Sequence, residues 1–181
     1  MKILAIRGQN LASLKGTFEI DLMAPPLSGL GLFAIAGPVG SGKSTILDAM
    51  CLALFGRTPR LSGRGGAPLG DDKDALRTND PRSLARKGSA AAMAEVDFLG
   101  LDGRVWRARW QVRRARGQAF GRLLDDEQTL TCPETGVRFG TTNSEARQAI
   151  EEKLGLSFEE LTRSVLLSQG GCLLYTSFPR A

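Results

Sequence analysis

One segment of the sequence has the residue types and spacing that hold a triphosphate. It reads Gly37-Pro38-Val39-Gly40-Ser41-Gly42-Lys43-Ser44, is followed by Thr45, and fits the pattern G-x-x-x-x-G-K-[ST]. Glycines let the backbone curl so that consecutive N–H groups point inward, and the N-terminus of a following helix adds partial positive charge where phosphate oxygens lie. The pattern therefore predicts a phosphate-binding loop over residues 37–45.

Three side chains of this loop have separate expected roles. Lys43 brings a full positive charge to the β- and γ-phosphates, and Ser44 offers a hydroxyl to Mg²⁺, which prefers oxygen ligands in octahedral geometry. Thr45 is expected to reach toward the α-phosphate. The predicted cofactors are therefore ATP and Mg²⁺.

The segments on either side of the loop have the patterns of a strand and a helix. Residues 30–36 form a nearly continuous apolar run, which is typical of a strand buried on both faces of a sheet. Residues 44–55 carry apolar side chains at helical spacing, and Gly56 is placed to end that helix. Strand, glycine loop and helix together predict an α/β fold with a mixed sheet around the loop.

Several antiparallel hairpins are also predicted. Residues 2–6 and 17–22 form one pair of strands, and residues 128–132 and 137–139 form another around a Pro-Glu-Thr-Gly turn. Between them, two alternating runs at 92–98 and 106–112 join through a short loop in which Gly103 takes a left-handed conformation. The register of this hairpin places Asp97 opposite Arg107 and Glu95 opposite Arg109. Two capping boxes, Thr142 with Glu145 and Ser157 with Glu160, predict the N-termini of two further helices.

The net charge of +5 favours an anionic partner. Six arginines and no acidic residue lie between Arg104 and Arg116. Arg107, Arg109 and Arg113 could track a duplex backbone, or they could pair with acidic residues across the hairpin, and the sequence leaves both interpretations open. Residues 57–80 have no periodicity and are interpreted as a loop or insertion.

Other features exclude whole classes of protein. The three cysteines are far apart and odd in number, so they provide neither a disulfide framework nor a Cys-x-x-Cys site. No apolar run approaches the ~20 residues that a membrane-spanning helix needs, and there is no signal-peptide layout. We expect no membrane partner and a cytoplasmic location.

Four stretches of the sequence together resemble a known family. They are the opening Met1-Lys2-Ile3-Leu4 with Asn10-Leu11-Ala12-Ser13-Leu14-Lys15-Gly16, the phosphate loop, residues 47–61, and Arg163-Ser164-Val165-Leu166-Leu167-Ser168-Gln169-Gly170. They closely resemble the SbcC family, the SMC-like ATPase subunits of bacterial SbcC–SbcD nucleases. Residues 56–61 and the Ser-Val-Leu-Leu-x-Gln-Gly run are the most specific parts of the likeness.

The resemblance implies the N-terminal lobe of an ABC-type ATPase head over residues 1–170. In such proteins a long coiled coil leads to a C-terminal lobe with the remaining catalytic motifs, and two heads enclose two ATP molecules. The resemblance implies as partners an SbcD-type nuclease, double-stranded DNA ends and a second copy of the full-length protein, acting in double-strand-break repair and recombination. It assigns Lys43 a catalytic role and makes Gln169 a Q-loop glutamine that reaches Mg²⁺ and the attacking water.

The final residues depart from the family pattern. Residues 171–181 read Gly-Cys-Leu-Leu-Tyr-Thr-Ser-Phe-Pro-Arg-Ala, where the family has a segment leading into a helix. We interpret them as a non-native or truncated tail and assign them no function.

Two other functional classes share part of this pattern. A small P-loop phosphotransferase also begins with strand, loop and helix, but there the loop usually follows the first strand, whereas here a hairpin precedes it. A DNA-binding module that holds a nucleotide without hydrolysing it is the second alternative. The acidic run Asp125-Asp126-Glu127 follows only two leucines, so we interpret it as a surface turn rather than a Walker B strand.

Overall fold

Six strands form an antiparallel sheet in the part of the chain that the computed structural model describes, residues 2–29, 34–61 and 76–164. The strands are β1 Lys2–Leu11, β2 Leu14–Asp21, β3 Ala91–Leu99, β4 Val105–Arg113, β5 Glu127–Thr131 and β6 Arg138–Phe139. The helices are α1 Lys43–Phe55, α2 Asn143–Leu154 and α3 Phe158–Ser164. Neighbours in the sheet follow the order β2-β1-β3-β4-β5-β6.

The predicted hairpin between β3 and β4 is confirmed in its register. Asp97 lies opposite Arg107 and Glu95 lies opposite Arg109. Gly103 has a φ of 73°, which is the left-handed conformation that the short loop required. The first hairpin, β1 with β2, and the last, β5 with β6, are confirmed as antiparallel pairs as well.

One face of the sheet packs against α1 and forms the core. The alternating residues Val96, Phe98 and Trp110 are fully buried, as are most side chains of α1 from Ala49 onward. Helix α1 lies against β1, β3 and β4. The helix therefore starts at the phosphate loop and is held in place along its length by the sheet.

The predicted mixed sheet is wrong for the described residues, because every strand pair there is antiparallel. Most of these strands are joined by short hairpin connections, which yield antiparallel neighbours, whereas parallel pairing needs a longer crossover.

Of the apolar run 30–36 that was predicted as a buried strand, residues 30–33 lie outside the described part. Ala34, Ile35 and Ala36 lie in no strand and are exposed. A strand buried on both faces needs packed elements on both sides of its sheet, and these three exposed residues have no such cover.

The C-terminal end of α1 is closed by a buried amide from β5. The Gln128 side chain, 1% exposed, donates to the Ala53 carbonyl at 2.9 Å and accepts from Arg147 Nε of α2 at 2.8 Å. Gly56 ends the helix with a φ of 64°, and a Cβ at this position would lie 2.7 Å from Gln128 Oε1. The predicted capping boxes at Thr142 and Ser157 are both present.

The opposite face of the sheet carries an ionic network between three strands. Arg7 of β1 donates to Asp97 at 2.8 Å and to Glu95 at 3.2 Å, and Arg107 donates to both oxygens of Asp97 at 2.7 and 2.8 Å. Arg109 donates to Glu95, which is 3% exposed, at 2.6 Å. Of the two interpretations of these arginines, cross-strand pairing is therefore the one observed for Arg107 and Arg109.

The network should make folding sensitive to acid through Asp97. Burial alone would raise the pKa of Asp97, but hydrogen bonds from Arg107 and Arg7 outweigh burial and lower this pKa. Because the folded pKa is lowered, the unfolded chain binds more protons below about pH 5, and stability is lost as the pH falls. We expect Asp97→Asn to reduce the free energy of unfolding at pH 7 by about 2 kcal/mol or more, a difference that shrinks in acid.

Urea unfolding of the wild-type chain and Asp97→Asn at pH 7 and in acid measures this difference. The matched control is Asp125→Asn, since the side chain of Asp125 is fully exposed. A difference for Asp97→Asn that does not change with pH would contradict the ionic role of this carboxylate.

The two cysteines in the described region are buried free thiols, Cys51 and Cys132. Burial raises the pKa of Cys51 to about 12, so its thiol is unreactive and serves packing. No helix in the described ranges is long and apolar enough to cross a membrane.

Candidate nucleotide-binding site

The phosphate loop is an exposed turn that leads directly into α1. Residues 34–41 are all exposed, and Val39 is fully accessible to solvent. Gly40 and Gly42 have φ values of 83° and 94°, which favour glycine at both positions. The Ser41 N–H donates to the Pro38 carbonyl at 3.3 Å, which closes the turn.

Lys43 folds back over this loop. Its Nζ donates to the carbonyl oxygens of Gly37 and Pro38, both at 2.7 Å. An ammonium group has three donors, so the side chain bridges the loop's first residues and keeps a further donor. The charge is thus held directly beside the backbone turn that the sequence predicted for phosphate binding.

The N-terminus of α1 is not capped by any side chain of its own. Its N-cap is Gly42, no side chain accepts a cap hydrogen bond, and the first turn holds no acidic residue. By contrast, the N-termini of α2 and α3 are capped by Thr142 with Glu145 and by Ser157 with Glu160. The backbone N–H groups at the start of α1 therefore lack an intrahelical acceptor and have the positive end of the helix dipole behind them.

Ser44 and Thr45 follow Lys43 in the first turn but differ in exposure. Ser44 is exposed, so its hydroxyl is accessible to a metal ion, whereas Thr45 is 4% exposed and its side chain lies inside the protein. The expected approach of Thr45 to the α-phosphate would therefore rely on its backbone N–H. Lys43, Ser44 and Thr45 are the first three residues of α1.

The hairpin between β1 and β2 packs against the loop. A Cβ at Gly42 would lie 2.6 Å from Cδ2 of Leu14, so this leucine would have to shift, and the φ of 94° itself favours glycine. Leu14 belongs to the stretch 10–16 that carried part of the family resemblance. This contact ties the first hairpin to the loop.

A buried carboxylate one turn into α1 pairs with an exposed arginine. Asp48, 5% exposed, pairs with Arg60 in the 3₁₀ turn Pro59–Leu61 that follows the helix. Burial raises the pKa of the Asp48 carboxyl, and the Arg60 guanidinium opposes that rise. Sequence reasoning did not single out this pair, although an aspartate within an otherwise apolar helical face is a signal for a specific partner.

The chain after α1 is also held to α3. Arg57 lies 4.2 Å from the ring centroid of Phe158 and pairs with Glu159 at 3.1 Å. The Phe158 ring in turn packs edge-on against Phe55, with 5.5 Å between centroids. Helix α3 ends at Ser164, and the predicted Q-loop residue Gln169 lies beyond it, outside the described residues.

Asp125 and Asp126 of the acidic run lie in the connection before β5, as expected, and Glu127 begins that strand. Asp125 is fully exposed, and Asp126 accepts from Trp110 Nε1 at 3.0 Å. Glu127 begins β5 and accepts from Gln111 at 2.7 Å. These carboxylates are engaged in the sheet and its connections, so this run is not a Walker B strand.

Comparison with known proteins supports the same assignment. Residues 5–175 match the family model described as AAA domain. The SbcC component of the SbcCD nuclease from Pseudomonas aeruginosa is 53% identical over 171 residues, which cover 93% of this chain and 14% of that protein. The corresponding protein of Rhodobacter capsulatus is 45% identical over 172 residues, covering 94% of this chain and 14% of that protein.

A relative with a different name is found in Methanopyrus kandleri. Its DNA double-strand break repair Rad50 ATPase is 34% identical over 97 residues, covering 54% of this chain and 9% of that protein. The chain thus spans about a seventh of the length of the SbcC proteins it matches. The chain belongs to the AAA domain family, and the resemblance to the N-terminal part of SbcC proteins seen in the sequence is confirmed.

Proposed function

We propose that the chain binds Mg-ATP at residues 37–45. Lys43 holds the β- and γ-phosphates by charge, the backbone N–H groups at the start of α1 donate to phosphate oxygens, and Ser44 gives a hydroxyl ligand to Mg²⁺. Gly37, Pro38, Val39, Gly40, Ser41 and Gly42 form the backbone of the cradle, and Thr45 completes it.

One observation carries this proposal. Alone among the three helices of the described region, α1 begins without a capping side chain or an acidic residue in its first turn. It begins instead at two left-handed glycines with an ammonium folded over them. An anion fits where N–H groups, a helix dipole and a lysine meet and no carboxylate of the helix competes.

The fit to Mg²⁺ rests on the donor set. Magnesium binds few protein oxygens and keeps several waters and phosphate oxygens as ligands. The exposed hydroxyl of Ser44 in the first turn of α1 is such a ligand, and Gln169 is proposed as a second one that also orients the attacking water. Bound Mg²⁺ would neutralise charge on the phosphates, while Lys43 places its own charge where negative charge increases during phosphoryl transfer.

The wider function belongs to a longer protein. We propose that residues 1–170 form the N-terminal lobe of an ABC-type head that couples ATP binding and hydrolysis to processing of DNA ends and hairpins. Its proposed partners are an SbcD-type nuclease, double-stranded DNA ends and a second copy of the full-length protein. The support is the identity of about one half to the Pseudomonas aeruginosa SbcC protein over nearly the whole chain.

Removing the Ser44 hydroxyl tests the metal part of this proposal. In a titration with a fluorescent ATP analogue, the wild-type chain should bind more tightly with Mg²⁺ than with EDTA. Ser44→Ala should lose about 10- to 100-fold of the Mg²⁺-dependent affinity, a range taken from disrupted metal sites. Its affinity in EDTA should be unchanged, because the phosphates still meet Lys43 and the helix N-terminus.

Ser44→Thr is the matched control, since it keeps a hydroxyl at the same position and should keep the magnesium effect. Equal dependence on Mg²⁺ in the wild-type chain and Ser44→Ala would remove Ser44 from the metal site.

A further inference from the structure

A second surface with the composition of a binding site lies at the far end of β4. We name residues 113–122 the basic loop; it reads Arg-Arg-Ala-Arg-Gly-Gln-Ala-Phe-Gly-Arg. No acidic residue occurs anywhere from residue 104 to residue 124. Arg113 and Arg116 are exposed, whereas Arg107 and Arg109 earlier in β4 are held by the ionic network. Positive charge on the hairpin is therefore concentrated at this loop.

The loop also exposes a complete aromatic ring. Phe120 is 95% exposed, while Phe98, Trp106 and Trp110 are nearly or fully buried in the core. An exposed phenylalanine forgoes the favourable transfer free energy that burial of its ring would provide. The neighbouring residues Gln118 and Ala119 are polar or small, so the ring stands out from the surface without an apolar patch around it.

Hydrogen bonds hold the loop in this shape. The Ala115 N–H donates to the Arg122 carbonyl at 2.8 Å, and the Gly121 N–H donates to the Gln118 carbonyl at 2.9 Å. Arg114 clamps the base of the loop by donating to the carbonyls of Ser89 at 3.1 Å and Gly121 at 3.0 Å. The backbone, rather than side-chain packing, thus presents the ring.

The close backbone packing of this turn also requires a glycine beside Phe120. A Cβ at Gly121 would lie 2.5 Å from the Ala115 carbonyl oxygen, so the turn that presents Phe120 accepts only glycine there. Arg116 at the other side of the turn has a φ of 58°, an uncommon conformation for arginine. This tight, closed turn therefore exposes an aromatic ring and an arginine on one short loop before any ligand arrives.

An exposed aromatic ring in a loop that contains arginines and no acidic residue of its own matches the chemistry of an unpaired nucleic-acid strand. Bases stack on aromatic side chains regardless of sequence, and arginines follow the phosphates by charge. An apolar protein partner would be met by further apolar side chains, which the loop does not provide. We propose that the basic loop contacts single-stranded DNA, with Phe120 stacking on a base and Arg116 contacting the backbone; the choice of DNA rests on the proposed function.

Fluorescence anisotropy with a labelled oligonucleotide of about 15 thymidines tests the stacking contact. Phe120→Ala should weaken binding by about 5- to 100-fold, the range of one base-stacking contact. Phe120→Trp should restore it, and Val137→Ala should have no effect, since Val137 is another exposed apolar residue but lies in a different turn. Thermal unfolding followed by circular dichroism should be unchanged for Phe120→Ala.

The salt dependence tests the arginine separately. The slope of log affinity against log salt concentration should fall by about 0.7 for Arg116→Gln, the value for one contact to a single strand. Arg104→Gln is the matched control, because Arg104 is an exposed arginine at the opposite end of β4 and should leave the slope unchanged.

An oligonucleotide of abasic residues separates stacking from charge. The wild-type chain should bind it no more tightly than Phe120→Ala does, because no base is present to stack. Equal affinity of the wild-type chain and Phe120→Ala for the thymidine strand would overturn the proposal. The assay contains no ATP, so this result is independent of whether residues 37–45 bind ATP.

Discussion

Replacing Lys43 with alanine should weaken binding of a fluorescent ATP analogue by about thirtyfold or more. The reason is that its Nζ is the charged donor positioned at the turn, 2.7 Å from the carbonyls of Gly37 and Pro38. Truncating one partner of a hydrogen-bonded charge pair costs about 2–5 kcal/mol. The same change removes the bridge across the loop, which loosens the cradle and acts in the same direction.

Lys2→Ala is the matched control for this substitution. Lys2 is an exposed lysine at the start of β1, whereas the hairpin that touches the loop lies at the other end of that strand. It removes the same unit of net charge and should leave ATP affinity unchanged. Circular dichroism should show that Lys43→Ala remains folded. A folded Lys43→Ala chain with wild-type affinity would show that ATP is held elsewhere.

The hairpins could be predicted because their signals are local. Alternation of apolar residues in β3 and β4 sets the face of each strand, and a short loop with a left-handed glycine leaves one register that keeps both apolar sets together. That register brings Glu95 and Asp97 opposite arginines, as observed. Helix α1 could be predicted for a similar reason, since Gly42 and Gly56 bound an apolar helical run at both ends.

The sheet around the loop could not be predicted in the same way. A continuous apolar run such as residues 30–36 indicates burial but does not say which strands bury it. The ionic pair of Asp48 and Arg60 was missed because its partners are 12 residues apart, across the end of a helix. The exposed position of Phe120 depends on hydrogen bonds between loop carbonyls and on Arg114, none of which has a sequence period.

The phosphate loop itself was predictable because all of its parts are contiguous. Residues 37–45 need no distant contact to come together, so the motif alone specifies the turn and the start of α1. The role of Gln169, by contrast, depends on a contact between segments that are far apart in the sequence. It must approach the loop from a separate segment after α3, and its assignment continues to rest on the family resemblance.

We expect the isolated chain to bind Mg-ATP without measurable turnover. Hydrolysis needs an oriented water, a group that accepts or directs its proton, and charges that stabilise the transferring phosphoryl group. The sequence contains no histidine. The carboxylate nearest to Ser44 along α1, Asp48, is buried and paired with Arg60, and Asp126 is bound to Trp110. Lys43, Ser44 and Gln169 therefore supply only part of the required set.

The size of the expected deficit follows from the missing groups. Each absent electrostatic element typically costs about 10²–10³ in rate, so the loss of two or more leaves hydrolysis near background. Steady-state release of phosphate measures this directly. Adding a separately expressed C-terminal lobe from a full-length relative should raise the rate, because under the two-lobe proposal that lobe brings the missing carboxylate and a second set of contacts to the γ-phosphate.

Lys43→Ala identifies the source of any activity that is measured. Phosphate release by the isolated chain that persists in Lys43→Ala comes from a contaminating ATPase and leaves the prediction standing. Phosphate release that disappears in Lys43→Ala would come from this chain, and would place a complete catalytic set within its 181 residues. The proposal that hydrolysis is divided between two lobes of a longer protein would then be wrong, whereas the proposed binding of Mg-ATP at residues 37–45 would be strengthened.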